Sequence, residues 1–291
     1  SKDLAADVTA TGSIVNDDRW ISTSKSSIRN NSYYSIVEGL TWLEAEAASV
    51  SLGGHLVTIN DAAENSWLFS EFNIIGRDVW PPIPDDTYWS GFRNFSDEYS
   101  WDGNWKWISG EDVTYTNWAN GTPNGPNGWQ SVVLGRHGIT GYWDDTISYQ
   151  TPWSPYYGIA EVPLSYFSVS DVSITEGDSG NITINRTGGS NTAQTLTLTS
   201  INGTATAGLD YTSINRTISF AKGETSKTVS ISTIEDTSVE SNETFTLTLT
   251  PSTTDDVPAQ ITDGSATVTI TDDDIAVTNK TQIIYTKDNK L

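Results

Sequence analysis

The sequence predicts an α+β domain followed by an all-β, immunoglobulin-like sandwich, and three observations carry that prediction. All 12 tryptophans of the 291-residue chain lie between Trp20 and Trp153. Beyond about Pro163 the text turns into Thr/Ser/Ile/Val alternation: "NITINRTG", "QTLTLTSI", "RTISFAKG", "KTVSISTI", "ETFTLTLT" and "SATVTITDDD". These runs have period two and end at Gly, Asn or Asp, as half-buried strands do, and a series of such strands with no helix between them describes a sandwich. Before Pro163, by contrast, helical patterns precede short strand-like runs and long irregular stretches, which is an α+β layout.

In the first half, "TWLEAEAASVSLGGHLVTIN" opens with Thr41 and carries Glu44 three residues on, a capping box. A helix-compatible run to Leu52 follows and is stopped by Gly53 and Gly54. After a short β-like "HLVTI", Asn60 or Asp61 can cap a second helix bearing Trp67, Leu68 and Phe72 on one face. "YWSGF", "WKWIS", "QSVVL" and "YGIAEV" are strand candidates. In the second half the sandwich strands are those quoted above, separated by the acid-rich turns "ITEGD", "GLDYT", "IEDTSVESNE" and "TDDD".

Composition narrows the function. With 37 acidic against 15 basic residues and a formal net charge of −22, the chain repels nucleic acid and anionic membranes and favours divalent cations. No apolar run is long enough to cross a bilayer, so no membrane insertion is expected. Cysteine is absent, which points to a bacterial secreted or cell-surface protein tied together by metal in place of disulfides. Catalytic parts are missing: there is no Cys nucleophile, no Gly-x-Ser-x-Gly elbow, and neither His55 nor His137 has metal-ligand spacing. No enzymatic activity is therefore expected. Trp129, Trp153, Tyr149 and Tyr156 lie in Gly/Pro-rich segments and are ligand-contact candidates, because exposed aromatics stack on sugar rings or anchor protein partners.

On "TWLEAEAASVSLGGHLVTINDAAENSWL", "YWSGF", "GNWKWISGEDVTYTNWANGTPNG", "GYWDD" and "YGIAEV", residues 28–163 resemble a C-type lectin-like domain. On "VSITEGDSG", "NGTATAGLDYT", "ISFAKGETSKTVSISTIEDTSVESNETFTLTL" and "SATVTITDDD", residues 165–275 resemble a Calx-β domain. The leader "TATGSIVNDD" can be laid over "SATVTITDDD", so residues 1–20 read as the last strand of a preceding Calx-β unit or as an acidic leader, and 276–291 as a tail or linker. The whole resembles a fragment of a large bacterial surface adhesin with further Calx-β units in the same chain.

The resemblance implies Ca²⁺ at three places. Glu176, Asp210, Glu235, Asp236, Glu240, Asp272, Asp273 and Asp274 would supply oxygens at the sandwich turns; the alternative is a solvated acidic rim. Thr58, Asn60, Glu64 and Glu161 would form a structural calcium site in the lectin-like domain. In the lectin loop, Pro123 would be a cis-proline, and Asn124, Asp144 and Asp145 would remain of the primary calcium and sugar site. There Thr122 stands where the family has a glutamate, and Trp129-Gln130 where it has a further acid, so a Gly/Asn turn cluster without an ion is the competing reading. The expected function is calcium-dependent adhesion through a glycan; the alternatives are a protein or other non-sugar ligand on the same loop face, and a spacer without ligand.

Overall fold

The computed structural model describes residues 25–74, 87–95, 104–125, 129–135, 141–148 and 157–276. The leader 1–20 and all but the first residue of the tail 276–291 lie outside them.

The first domain is a mixed sheet clamped between two helices. Its strands are β1 (Ser26–Arg29), β2 (Ser32–Glu38), β3 (His55–Leu56), β4 (Tyr88–Asn94), β5 (Trp105–Trp107), β6 (Trp129–Leu134), β7 (Trp143–Ile147) and β8 (Tyr157–Pro163). They run in the order β1-β2-β8-β4-β6-β7, with β3 added to β8 and β5 to β4. Helix α1 (Trp42–Ser51) begins with the expected capping box, Thr41 and Glu44 bonding each other's backbone amides, and ends at Leu52 before Gly53 at φ +90°. Helix α2 (Ala62–Glu71) is capped by Asp61, whose carboxylate accepts from the Glu64 amide at 2.7 Å.

Successive strand residues point to opposite faces, and the core divides accordingly. Val132 and Leu134, Ile36, Val57 and Ile159 join the α2 side with Leu68, Phe69 and Phe72. Their neighbours Val133, Val37, Leu56 and Ala160 join the α1 side with Trp42, Ala45 and Trp89. On the α2 side Phe92 is an aromatic hub, 4.5 Å from Trp107, 5.7 Å from Trp105, 5.8 Å from Trp143 and 5.9 Å from Trp118. Each such pair contributes roughly 0.5–1.5 kcal/mol beyond burial, so among the described side chains the tryptophans of this half belong to the core or pack against it.

The second domain is the expected sandwich. One sheet runs β10-β17-β15-β12-β13: Val172–Thr175, Ser265–Thr271, Glu243–Pro251, Gln194–Asn202 and Asn215–Phe220. The other runs β14-β11-β9-β16: Ser226–Ser232, Ser179–Gly188, Ser165–Val169 and Gln260–Asp263. Inward residues such as Ile182, Ile184, Leu196, Leu198, Leu247 and Val268 form one core, sealed by Tyr211 stacked on Phe245 at 3.7 Å.

Six strands, β1, β2, β7, β9, β10 and β16, are not anticipated by the sequence. The β1–β2 hairpin turns through Asn30 at φ +52°, and its half-buried pattern emerges only against β8. Strands β9 and β16 are short and pair in parallel with each other, a non-local contact that local alternation does not signal.

Candidate functional site

Three acidic or polar constellations stand at the places the sequence singles out, and the structure treats them differently.

In the lectin loop, the Thr122–Pro123 peptide is cis, as the resemblance implies. Strand β7 delivers Asp144 and Asp145 from the sheet, both 2% exposed. The Asp145 carboxylate accepts the Asn124 amide on Oδ1 at 2.8 Å and the Gly125 amide on Oδ2 at 2.7 Å. Thr122 donates its hydroxyl to the Ala119 carbonyl at 2.8 Å. Asp145 therefore latches the loop to the sheet through two charge-assisted backbone bonds, with the positive ends of two amides already neutralising it. Asn124 is exposed, and Thr122 supplies no charge. This donor set fits calcium poorly, since the ion needs several oxygens with net negative charge among them. Of the aromatic candidates, Trp129 opens β6 with its side chain outside the described residues, as are Tyr149, Trp153 and Tyr156 altogether.

At the base of α2 the sequence-predicted carboxylates do converge. Tyr34, from β2, places its hydroxyl 2.8 Å from Glu64 Oε1 and 3.0 Å from Glu161 Oε1. The other oxygens accept backbone amides: Asn60 to Glu64 at 2.9 Å and Thr58 to Glu161 at 3.1 Å. Thr58 and Asn60 thus reach the pair as amide donors; their side chains turn away, the Thr58 hydroxyl to Ser109 and the Asn60 amide to Glu111. Burial pushes the Glu161 carboxyl above its ordinary range, only partly opposed by the Thr58 amide. Burial and the two facing carboxylates hold the Tyr34 phenol protonated far above its usual range. One hydroxyl hydrogen cannot satisfy two carboxylates at once, so the pair calls for a further positive charge, a proton or a cation. Tyr34 is missed by the sequence reading because nothing local marks it; its role exists only where β2 meets β8.

The sandwich turns gather the third constellation. The ligand oxygens of Glu176, Asp236 and Asp274 lie within 4.8 Å of one another. Beside them, Asp210, Glu240 and Glu243 share a concavity with Glu176 and Asp272. Asp272 Oδ1 and Asp274 Oδ2 are buried without a hydrogen-bond partner. Loss of water, and then repulsion from Asp236, Asp272, Glu235 and Asp274, raises the Glu176 carboxyl above its ordinary value. Glu235 and Asp274 shift the same way, first by desolvation and then by their acidic neighbours, Asp273 among them. Glu243, absent from the sequence-predicted set although it closes the acid-rich "IEDTSVESNE" and opens β15, is raised by desolvation and by Asp210 and Glu240. Gly177, at φ +72°, lets this turn pass directly beneath the Glu235 carboxylate. Mutual repulsion plus buried, unpartnered oxygens is the chemistry of a divalent cation site, and these residues fit calcium.

Fold and sites together define a two-module protein, an α+β lectin-like domain joined to an all-β sandwich with an acidic end. Residues 38–151 match the Lectin C-type domain family and residues 159–274 the Calx-beta domain family, so a C-type lectin domain is followed here by a Calx-beta domain. The Perlucin-like protein of Mytilus galloprovincialis is 32% identical over 100 residues, covering 34% of this chain and 58% of its own length. Lectin BRA-3 of Megabalanus rosa is 25% identical over 118 residues, 39% of this chain and 62% of its own. The chain thus spans less than two thirds of these animal relatives. The crystal structure of the apo-form Calx CBD1 domain is 25% identical, covering 38% of this chain and 99% of that one at a TM-score of 0.35. Both families are non-catalytic and typically calcium-binding. No helix among the described residues is long and apolar enough to cross a membrane.

Proposed function

We propose that the chain is a calcium-stabilised, non-catalytic recognition module of a secreted or cell-surface adhesin, in which the lectin-like loop face engages a glycan and the Calx-β sandwich serves as spacer. The carrying observation is the loop itself: the Asp145 carboxylate, accepting the Asn124 and Gly125 amides, keeps residues 122–125 in a defined shape beside β7. Calcium would be held by Glu176, Asp236, Asp272 and Asp274 with Asp210, Glu240 and Glu243 at the sandwich, and by Glu64 and Glu161 beneath α2. Bound there, it supplies positive charge that joins loops otherwise held apart by like charges. A bacterial origin rests on the cysteine-free composition. Screening the protein on a broad glycan panel in millimolar calcium tests the reading: a reproducible hit lost on mutating the sequence-predicted contact residue Trp129 supports it, and a blank panel rejects the glycan.

The Asp145 latch favours a second reading, in which the same face binds its ligand without an ion in the loop and calcium serves structure alone. Its mark is binding that persists in EDTA below the melting temperature. Binding abolished by EDTA while the domain stays folded excludes it.

A further inference from the structure

We propose that the Calx-β sandwich completes the hydrophobic core of the lectin-like domain, making the recognition module's stability a function of the sandwich's. Val257 belongs in sequence to the connection between β15 and β16 of the sandwich. In space it is 2% exposed and lies in the α1-side core of the other domain, among Val37, Trp42, Leu56, Trp89 and Ala160. Apolar surface of one module buried in the core of another leaves water only while both are folded, which couples their stabilities.

The sandwich holds this plug firmly. Gln194 Nε2 donates to the Val257 carbonyl at 3.0 Å, and the Asp255 carboxylate accepts the Thr195 amide at 2.7 Å, so both contacts tie the loop to β12. Around it the two domains meet at further points. Gly53, at the end of α1, lies so close to Asn191 and Thr192 that a Cβ there would strike the Thr192 methyl. Leu164, the single residue between β8 and β9, is 2% exposed; its amide donates to the Asn31 carbonyl and its carbonyl accepts from Gly189, both at 2.8 Å. Tyr166 adds a hydroxyl bond to Asn31 Oδ1 at 3.1 Å. Arg186, 3% exposed, bonds Ser165 Oγ at 2.8 Å and Thr192 Oγ1 at 3.2 Å, bracing the sandwich side of the seam. A one-residue linker with contacts on both flanks leaves little room for hinge motion, unlike the usual loosely docked pair.

Strand direction then sets what is coupled to what. Strand β11 leaves the acidic turn at Ser179 and reaches the seam at Gly188; β12 starts at the seam and returns toward the acidic end at Asn202. Strand β15 runs from Glu243 at the acidic end to Pro251 next to the plug loop. The calcium candidates and the lectin contact thus occupy opposite ends of one sandwich, roughly 30 Å apart for strands of this length.

The tryptophans make the coupling measurable, since all 12 lie between residues 20 and 153 and the sandwich has none. Eleven of the 12 tryptophans fall within residues 28–163, so in a Trp20→Phe chain tryptophan fluorescence follows the lectin-like domain, while far-UV circular dichroism follows both. Leu247→Ala hollows the sandwich core, which holds no tryptophan; Ile231→Val is the milder substitute should that variant fail to fold. The expected result is a fall of the fluorescence-monitored melting midpoint by roughly 5–10 °C for Leu247→Ala. In a Gln194→Ala background, which loosens the plug without touching the lectin core, the same substitution should move that midpoint much less. An unchanged fluorescence midpoint, with the circular dichroism transition shifted down, overturns the proposal. A calcium arm rests on the Calx-β reading: in a Glu64→Gln, Glu161→Gln chain, calcium should raise the fluorescence midpoint through the sandwich. A rise in circular dichroism without one in fluorescence again overturns the coupling. A rise in neither rejects the Calx-β calcium and leaves the Leu247→Ala result to decide the coupling.

Discussion

Replacing Asp145 by alanine separates a latch from a calcium ligand. The carboxylate is 2% exposed and accepts the amides of Asn124 and Gly125 at 2.8 and 2.7 Å. Removing it takes away the buried charge together with both bonds, leaving two amides without an acceptor. An unsatisfied amide costs about 1–3 kcal/mol when fully buried. Asn124 is exposed and Gly125 half-buried, so water recovers part of that, and the expected loss is about 2–4 kcal/mol. Asparagine keeps one acceptor and should lose about half as much. Urea unfolding followed by tryptophan fluorescence measures the loss, and hydrogen exchange at amides 124 and 125 locates it. The decisive comparison is between EDTA and calcium. A latch gives the same loss in both, whereas a calcium ligand gives little loss in EDTA and a large one in calcium. A wild-type-like Asp145→Ala in EDTA would refute the latch.

Three further outcomes follow from the same geometry. At the acidic end, the raised carboxyls of Glu176, Glu235, Glu243 and Asp274 bind protons more tightly folded than unfolded. Their contribution is therefore present below the ordinary carboxylate range of about 4 and is lost as pH rises through their folded values. In EDTA the melting temperature should decline as pH rises above the ordinary carboxylate range of about 4, and millimolar calcium should remove or reverse the decline; a flat profile in EDTA counts against a repulsive apo site. Tyr34→Phe removes the hydroxyl between Glu64 and Glu161, and should cost about 1–3 kcal/mol in denaturant titrations without calcium and less with it. Gly177→Ala puts a methyl group into the Glu235 carboxylate at a left-handed φ of +72°, so it should weaken calcium binding in calorimetry and lower stability by at least about 1 kcal/mol.

Much of the molecule is written locally. The Thr41–Glu44 capping box, the Gly53 stop and the Asp61 cap act within one turn of helix, so the sequence alone places both helices. The alternating Thr/Ile/Leu runs place the sandwich strands for the same reason, since a period-two pattern states which face is buried without naming the neighbour. The acid-rich turns are visible as text, and only their convergence needs the fold. Tertiary structure alone decides which groups share a site. Tyr34 becomes the bridge between Glu64 and Glu161, residues 30 and 127 positions away, because β2 lies beside β8. Asp145 becomes a latch because β7 presents it to the amides of a loop 20 residues upstream. Val257 becomes lectin core although it sits in a sandwich loop of Thr, Asp and Pro. The physical reason is common to all three: capping and alternation are short-range energies fixed by neighbours in the chain, whereas a shared proton, a carboxylate's partners and a filled pocket depend on surfaces that meet only once the sheets have formed.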